Sequence, residues 1–589
     1  FGLYLLTLAL KPRNEMIDQT VVKHYIQQMK KLFFLLSISN TLFCFSQNLT
    51  INISENHFGI DENHSLIVSH IENIQDYSNT SGFDEIIITL DQNDYSFNSI
   101  PVGLEYSNSY LITDTVTSSQ YTLYFTQLPI ISVEATTTIV DEPKVLAYFI
   151  YSDDEQVLIS NIGIEIRGGS SQAFPKKTYD LEFWEDDFGD ETVNVQFEDL
   201  RSDDDWILDA LYNEPLRLRS YIANKLWLEI HTPYYLDEEP NAKSGANVKY
   251  VEMFLNGQYN GLYNLSEQVD KKQLKLKSFN DNIRGELYKG ISWGASTFTE
   301  LPNYDNESRE WSGYEFKYPK EDEITDWANV YQFTDFVMNA SDIDFTNRIW
   351  SKFDVSNYSD YFIFLNLLRA TDNTGKNIYL AKYNTDEQYF HAPWDLDGCF
   401  GTIWNGTNEN ITNDILSNGF ISRVIDINPN NISSSIANKW FSFRNNTLSN
   451  AALSDSILDE YNFLQNNKVY EREALMYPNY PFNQEDLSYI LTWLENRLAY
   501  LDTYFGNILS IDDNISATKT NLIYPNPAKD RIYITNSSSL IGKEFKVYNN
   551  LGQLTSSGII ENSFISIENL EIGYYLIHLD NNSYKFIKK

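Results

Sequence analysis

The stretch from Arg369 to Gly401 places the tightest constraint on the fold, because it reads as a helix, a turn and two strands in close succession. Its lead-in, YFIFLNLLRA, is apolar enough to form a buried helix. A turn-like DNTGKN follows, and then come the strands NIYLAKY and QYFHAPW. This order predicts that Asp372 and Asn377 lie on a loop after a helix, and that Asp395 lies on a loop after a hairpin.

The acids and the amide of this stretch have the spacing that phosphoryl transfer uses. In a protein kinase, the acid that positions the attacking hydroxyl precedes a Mg²⁺-binding asparagine by five residues, as Asp372 precedes Asn377. Asp395 falls where a kinase has its Mg²⁺-binding acid after the next hairpin, and Asp397 is a second candidate. Mg²⁺ prefers such carboxylate and amide oxygens. A solvated turn is the other interpretation, and the spacing alone favours it.

Composition narrows the class of protein. The 589 residues are 42% hydrophobic and 15% aromatic, which supports sizeable cores in two to four domains with much β-structure. The formal charge of −39 argues against nucleic-acid binding, which needs a basic face, and disfavours anionic membranes. We interpret the charge as the solubilising surface of an exported protein rather than as an acidic recognition surface.

A signal peptide is predicted at residues 29–46, inside an N-terminal stretch 1–46 that precedes the first domain. Met29 is followed by two lysines, a short apolar run and a serine before Gln47. We interpret the 28 residues before Met29 as an artefact of start-site assignment or a fragmentary record. The alternative is an anchor in FGLYLLTLAL, but that run is too short to span a bilayer, so no integral membrane span is predicted.

Cysteine and histidine chemistry is not expected. Cys44 falls in the signal peptide, so the mature chain keeps Cys399 and forms no intramolecular disulfide. Cys399 is more readily a small packed residue than a nucleophile. The seven histidines include no H-E-x-x-H, which disfavours a zinc site.

Residues 47–127 form a β-rich segment of short alternating runs such as EIIITL, for which a spacer or binding module is the default interpretation.

The sequence pattern changes at residue 128. A candidate phosphate-binding block follows a predicted strand that ends in Arg167. Gly168 allows close backbone approach, while Arg167, Ser170 and Ser171 can donate to phosphate oxygens. Lys177 heads an otherwise apolar strand face, so it either projects into a cleft or protects a strand edge.

A hairpin of high quality follows, in which VEMFL and GLYNLSEQV flank the turn dipeptide Asn256-Gly257. In a kinase, the strand that leads to the hinge between lobes presents backbone groups to adenine. Gln268 and Val269 are therefore candidates for base binding through their main chain.

The remainder divides into a helical part and a β part. Residues 402–505 are predicted to be mostly helical, as in a helical lower lobe. Residues 506–517 are predicted as a linker, and residues 518–589 as a small all-β, sandwich-like module with turn-separated strands.

Residues 128–505 resemble the spore coat protein H (CotH) kinase family. The resemblance is carried, in order, by RGGSSQAFPKK, DWILDALYNEPLRLRSYIANKL, YVEMFLNGQYNGLYNLSEQVDK, TDNTGKN and PWDLDGCFG. It implies an α+β chain with an atypical two-lobed protein-kinase-like fold that uses ATP and Mg²⁺ (or Mn²⁺) to phosphorylate Ser or Thr of a protein substrate.

By this resemblance Asp372 is the catalytic acid, and Asn377, Asp395 and Asp397 are metal-ligand candidates. Lys177 and the block from Arg167 to Ser171 hold the phosphates. The lead-in Arg369-Ala-Thr lacks the histidine of typical kinases, so the detail of substrate positioning differs.

The last part of the chain resembles a type IX secretion system type A sorting domain. YPNPAKDRIYI, VYNNLGQL and the ending GYYLIHL…YKFIKK carry this resemblance. It implies a Bacteroidetes-type bacterium, contact with the type IX machinery, and release outside the cell or attachment to its surface.

Two hypotheses of different classes therefore stand. The first is an exported ATP-dependent protein kinase. The second is a non-catalytic, kinase-like surface protein used for adhesion or glycan binding, which the scarcity of ATP outside cells favours. Structural Ca²⁺ in the acidic loops is a weaker third, since no twelve-residue EF-type loop is present.

Overall fold

The computed structural model describes residues 23–24, 27–28, 30–31, 47–479, 484–518, 523–534, 540–579 and 582–589. The predicted signal peptide, apart from residues 30 and 31, lies outside this part of the chain. The chain is a mixture of helices and strands, as predicted. It divides into a unit made of Phe1–Ser132, Ile150–Leu158 and Gly257–Tyr259 and a unit made of Val133–Phe149, Ile159–Asn256 and Asn260–Lys589.

The first unit contains a seven-stranded sheet. The strands are β1 (Asn48–Ile53), β2 (Phe58–Asp61), β3 (Leu66–His70), β4 (Glu85–Leu90), β5 (Asn93–Phe97), β6 (Ser109–Asp114) and β7 (Gln120–Thr126), in the order β1-β4-β5-β6-β7-β3-β2. The EIIITL run predicted as a strand is β4. Alternate residues of β4 and β6 are buried, which packs one face of the sheet on an apolar core.

Seven further strands close into a barrel. They are β8 (Ile130–Ala135), β9 (Val145–Ser152), β10 (Val157–Arg167), β11 (Thr178–Trp184), β12 (Asp205–Asp209), β13 (Val248–Leu255) and β14 (Gln258–Ser266), in the order β10-β11-β12-β14-β13-β8-β9. Asn256 and Gly257 join β13 to β14 with positive φ angles of 50° and 69°. Positive φ at both residues is what a type I′ turn requires, in agreement with the hairpin predicted around Asn256-Gly257.

A five-stranded sheet follows the barrel strands, and the helices lie between β12 and β13 or after the barrel. The sheet has the order β16-β17-β15-β18-β19, with strands β15 (Glu286–Gly290), β16 (Glu310–Trp311), β17 (Tyr314–Tyr318), β18 (Ile378–Lys382) and β19 (Tyr389–Pro393). The helices are α1 (Arg219–Ile230), α2 (Ala328–Asn339), α3 (Asp342–Lys352), α4 (Val355–Leu368), α5 (Gly419–Ile427), α6 (Ile432–Arg444), α7 (Asn450–Asn466), α8 (Val469–Met476) and α9 (Gln484–Thr518).

Helix α9 continues through residues 506–517, which were predicted as a linker. Phe505, the last residue of the predicted lower lobe, stacks on Trp440 of α6 with ring centroids 5.1 Å apart. In the described part of the chain, no helix combines the length and the apolar character that crossing a membrane requires.

The described elements after α9 are all strands. β20 (Ile523–Tyr524), β21 (Arg531–Ile534) and β24 (Phe564–Ser566) form one sheet. β23 (Leu554–Ile559), β22 (Glu544–Asn549), β25 (Gly573–Leu579) and β26 (Asn582–Lys588) form the other, in that order. A shared core that includes Ile532, Val547 and Ile577 fixes which side of each strand is buried.

Candidate active site

Helix α4 delivers Asp372 to its position. Asp354 caps the start of the helix by accepting from the backbone N–H groups of Ser356 and Asn357, at 3.2 and 3.0 Å. Every residue from 357 to 368 is buried, as the apolar lead-in predicted. Arg369 ends the helix in the left-handed conformation, and a 3-10 turn then begins at Asp372. The acid therefore stands on a loop anchored by a buried helix.

The β18–β19 hairpin brings Asn377 and Asp395 together. Ile378 pairs with Pro393 across the hairpin, so the two side chains emerge side by side from its open end. The Asn377 Nδ2 donates to Asp395 Oδ2 at 3.0 Å. Both residues have left-handed backbones, with φ of 56° and 52°. Such conformations cost free energy and cluster at functional sites.

These groups line a cavity of about 410 Å³. The acidic side carries Asp372, Asn377, Asp395 and Asp397. The barrel contributes the predicted phosphate-binding residues and further polar and apolar groups. The lining residues from the barrel strands and their adjoining loops include Arg167, Gly168, Ser170, Ser171, Lys176, Thr178, Ile207, Asp209, Asn213, Ala246, Val248, Asn264 and Ser266. Lys289 of β15 and Trp394 after β19 complete the wall from the other sheet.

Three carboxylates in the cavity oppose one another's ionisation. Burial, and then the charge of Asp395, raise the pKa of Asp209 to about 6. Burial, and then Asp395 and Asp209, raise the pKa of Asp397 well above its usual value, although Asn213 donates to it. Asp395 faces the cavity, but desolvation by the surrounding protein raises its pKa. The charge of Lys289 acts in the opposite direction. A cation between these groups would relieve the repulsion.

The donor set fits a hard divalent cation. Carboxylate oxygens of Asp395 and Asp397 and the amide oxygen of Asn377 are the ligand types that Mg²⁺ and Mn²⁺ take. The one compact group of three carboxylates among the described residues is elsewhere, at Asp203, Asp204 and Asp205. There the Lys272 amine already lies 2.7 Å from Asp203 Oδ1, so a protein cation fills that position.

Asp372 keeps its carboxylate available. None of the hydrogen bonds and ion pairs of the described residues uses its side-chain oxygens, and it is half-buried in the cavity wall. Burial raises its pKa, which the charge of Lys376 partly offsets. An unengaged, partly desolvated carboxylate can accept a proton or orient a hydroxyl.

The phosphate-binding block is partly engaged within the protein. Arg167 pairs with Asp180 and lies over the Trp394 ring, 5.6 Å from its centroid. Gly168 has φ of 106°, and a Cβ there would lie 2.1 Å from the Ser171 hydroxyl, so glycine is required. Ser170 begins the 3-10 helix Ser170–Ala173, at the cavity wall.

The structure does not bring Lys177 into the cavity. Its amine donates to the backbone carbonyls of Gln172, at 2.7 Å, and of Phe174, which closes the preceding turn. Lys176 lines the cavity instead, but its buried amine donates to Glu473 at 2.7 Å and to the Leu262 carbonyl. The loop before β11 thus engages the Lys177 amine, and Glu473 on α8 neutralises the charge of Lys176.

Lys289, which the sequence reasoning missed, has the free amine. It stands on β15 and lines the cavity, and within the described part of the chain no hydrogen bond or ion pair engages its side chain. Burial, and then the nearby charge of Arg167, lower its pKa to about 8. The signal in the sequence is a lysine that follows the buried Leu287 and Tyr288 in the short strand ELYKG.

Gln268 and Val269 do not line the cavity either. The chain leaves β14 after Ser266, and Val269 packs into a core with Leu274 and Tyr318, at 3% exposure. The base-binding role predicted for their main chain therefore has no support in their position.

The fold and the cavity define a protein of mixed helices and strands, whose cavity is lined by barrel strands and by acids from the end of α4 and the β18–β19 hairpin. Residues 164–501, more than half of the chain, match the family described as CotH kinase protein, so the chain belongs to that family. Residues 522–589 match the secretion system C-terminal sorting domain, as the sequence analysis predicted. That domain marks the chain for the cell surface or the surroundings through type IX secretion.

One curated relative also matches. Beta-agarase A of Zobellia galactanivorans is 37% identical over 81 residues. This match spans 13% of the present chain and 15% of the agarase, so it is a likeness between segments.

Proposed function

We propose that this chain is an exported protein kinase, which transfers the γ-phosphate of ATP to Ser or Thr hydroxyls of secreted or surface proteins. The observation that carries the proposal is the convergence of Asp372, Asn377, Asp395 and Asp397 with the unpaired Lys289 in one cavity. Family membership supports the same reaction. A kinase-like arrangement of barrel and helical part is the fold that we infer for residues 128–505.

The residues take distinct roles in the proposed reaction. Asn377, Asp395 and Asp397 would hold Mg²⁺ or Mn²⁺, which neutralises charge on the phosphates when bound. Lys289 and Arg167 neutralise phosphate charge from the other side, and the Ser170–Ser171 turn can donate hydrogen bonds to phosphate oxygens.

Asp372 accepts the proton of the substrate hydroxyl. The hydroxyl oxygen then bonds to the γ-phosphorus while the bond from that phosphorus to the β–γ bridging oxygen breaks, and ADP leaves. Because little covalent chemistry falls to the protein, positioning and electrostatics supply most of the rate.

The test is label transfer from γ-labelled ATP with Mg²⁺ or Mn²⁺, using periplasmic and secreted proteins as acceptors. Wild type should label protein, while Asp372→Asn and Asp395→Asn should each lose at least a hundredfold in rate. The control is Asp335→Asn, an exposed acid on α2 whose side chain accepts from Asn339 at 2.8 Å. If both cavity variants labelled as fast as wild type, the assignment of these residues would be refuted.

A binding measurement separates this proposal from a non-catalytic surface protein. ATP with Mg²⁺ at a hundred times its Kd should stabilise the folded chain by about 2.7 kcal/mol, and Asp395→Asn should abolish that shift. An unchanged melting temperature at millimolar nucleotide would instead support the adhesion or glycan-binding alternative.

A further inference from the structure

One tryptophan is exposed at the wall of the cavity. Trp404 lines the cavity and is 47% exposed. The chain has eleven tryptophans, and Trp293, at 56% exposure, is the other one with about half of its surface free, but it lies outside the cavity. Single exposed apolar residues are ordinary on a protein surface, so the position of this indole decides what it can bind.

The backbone of Trp404 is fixed next to Asp397. The Asn213 amide donates to the Trp404 carbonyl oxygen at 3.1 Å and also donates to the Asp397 carboxylate. A Cβ at Gly398 would lie 2.9 Å from the backbone nitrogen of Trp404, so these two stretches of backbone are in close contact. Trp404 therefore adjoins a candidate metal ligand.

The segment of residues 402–418, which carries this indole, is held in place by helix α9. Trp493 Nε1 donates to the Ile411 carbonyl at 3.0 Å, and Arg497 Nη1 donates to the Thr412 carbonyl at 3.0 Å. Both donors stand on α9, so the segment has a defined position although it forms no helix. A segment that is ordered in advance loses little conformational entropy when a partner binds to it.

The same segment presents no free charge. It contains no lysine or arginine, and its two acids, Glu409 and Asp414, both pair with Arg369. Asp397, beside the indole, accepts from an amide and is a proposed metal ligand. A cationic side chain would thus find no uncompensated carboxylate on this segment. An apolar side chain, by contrast, gains by removing its surface and that of the indole from water.

The position of Asp397 indicates which reactant meets the indole. In the proposed reaction Asp397 helps to hold the metal at the β- and γ-phosphates. The nucleobase is separated from that point by the rest of the triphosphate and by the ribose. The acceptor hydroxyl arrives at the γ-phosphorus from the side opposite the leaving ADP. Trp404 therefore lies at the acceptor end of the cavity.

We propose that Trp404 selects the protein acceptor by packing against a large apolar side chain that flanks the Ser or Thr to be phosphorylated. The partner of this surface is an uncharged, apolar stretch of a secreted or surface protein. The inference rests on the proposed kinase function and names the acceptor class for it.

The experiment maps phosphorylation sites by mass spectrometry. The full chain, ATP and Mg²⁺ act on a tryptic digest of dephosphorylated periplasmic and secreted proteins, so that folding of the acceptors hides no site. Wild type should phosphorylate Ser and Thr flanked by aromatic or large aliphatic residues on the order of tenfold more often than the other Ser and Thr of the digest. Trp404→Ala should lose this enrichment. Trp404→Phe should retain most of it, because a phenyl ring keeps an apolar face.

Steady-state kinetics separate a specificity role from a structural one. With a synthetic peptide copied from the most strongly labelled site, Trp404→Ala should raise KM for the peptide on the order of tenfold and leave KM for ATP within about twofold of wild type. The matched control, Trp293→Ala, removes a comparably exposed indole outside the cavity. It should leave both KM values and the enrichment unchanged.

Each outcome decides one of the two proposals. Labelling of intact proteins by wild type without an apolar enrichment in the digest would overturn the role of Trp404 and leave the kinase proposal standing. Retained enrichment in Trp404→Ala would overturn it as well. So would unfolding of that variant, because the indole would then be structural. Absence of transfer from ATP to any protein or peptide would overturn the kinase proposal itself.

Discussion

Glu473 on helix α8 gives the sharpest test of which contacts stabilise the barrel. Its carboxylate accepts from Lys176 Nζ at 2.7 Å, from Arg217 Nη2 at 2.9 Å and from the Leu262 backbone N–H at 2.7 Å. Glu473, Lys176 and Arg217 are all at most 5% exposed. Although burial opposes ionisation, the two cations hold the pKa of Glu473 below its usual value. The acid therefore compensates two buried positive charges.

Glu473→Gln removes the charge and leaves the shape. Removing one partner of a buried ion pair costs about 3–5 kcal/mol, because the other charge stays buried and uncompensated. Gln can still accept from the Leu262 N–H, which places the expected cost at the lower end, about 3 kcal/mol. At about 1.4 kcal/mol per factor of ten, local opening becomes on the order of a hundredfold more frequent.

Hydrogen–deuterium exchange measures this opening directly. Amides of β14 and α8, including Leu262, should exchange on the order of a hundredfold faster in Glu473→Gln, while strands after residue 522 should not change. The control, Asp344→Asn, breaks a 3.1 Å pair with Arg348 in which both side chains are more than 40% exposed. Such surface pairs contribute about 0.3–0.5 kcal/mol. Exchange in Glu473→Gln within threefold of wild type would refute the reasoning.

Four further predictions concern the site and the sorting domain. Lys289 has a pKa of about 8 in the folded chain, so ATP affinity should fall as pH rises above 8, and Lys289→Arg should abolish that fall in titrations at pH 7 to 10. The pKa of Lys289 is lower in the folded chain, at about 8, than in the unfolded chain, at about 10.4, so the free energy of unfolding should rise between these two pH values. Denaturant titration of wild type should show this rise, and Lys289→Met should lack it. Arg369 holds Asp414 at 2.9 to 3.0 Å just before the turn that carries Asp372, so Arg369→Met should lower kcat about tenfold or more with KM for ATP nearly unchanged, as initial rates would show. Deleting residues 522–589 should leave the protein in the periplasm, which cell fractionation would detect.

The acidic side of the site could be predicted because its geometry is local. Asp372, Asn377 and Asp395 come from one helix end and one hairpin within 24 residues of sequence. Helical periodicity and strand pairing are properties of such short stretches, so sequence pattern places their ends reliably. The same holds for the Asn256-Gly257 turn, whose conformation depends on two residues alone.

The rest of the cavity wall could not be predicted in the same way. Asp209, Asn264 and Lys289 come from three strands of two different sheets, and the order of those strands follows from tertiary packing. A sequence shows that each is a polar residue within an apolar run, but it does not show that the runs meet. In the described part of the chain the buried Asn264 amide has no hydrogen-bond partner, and this unpaired state is likewise a property of the side chains around it on adjacent strands.

The lysines before β11 show that the alternation of side chains along a strand can be recognised correctly while the wrong face is assigned to the cavity. Tyr179, Leu181 and Phe183 do alternate, and all are at most 5% exposed, so the odd-numbered face of β11 packs the barrel interior. Thr178 and Lys176, of even number, line the cavity, and Thr178 donates to Asp209 at 3.4 Å. A lysine aligned with the apolar residues would have to enter the packed core, whose interior cannot pay the cost of an unpaired charge. The apolar face therefore points away from the cavity, and a candidate nucleotide-binding lysine is better sought at a polar position on another strand that lines the cavity, such as Lys289 on β15.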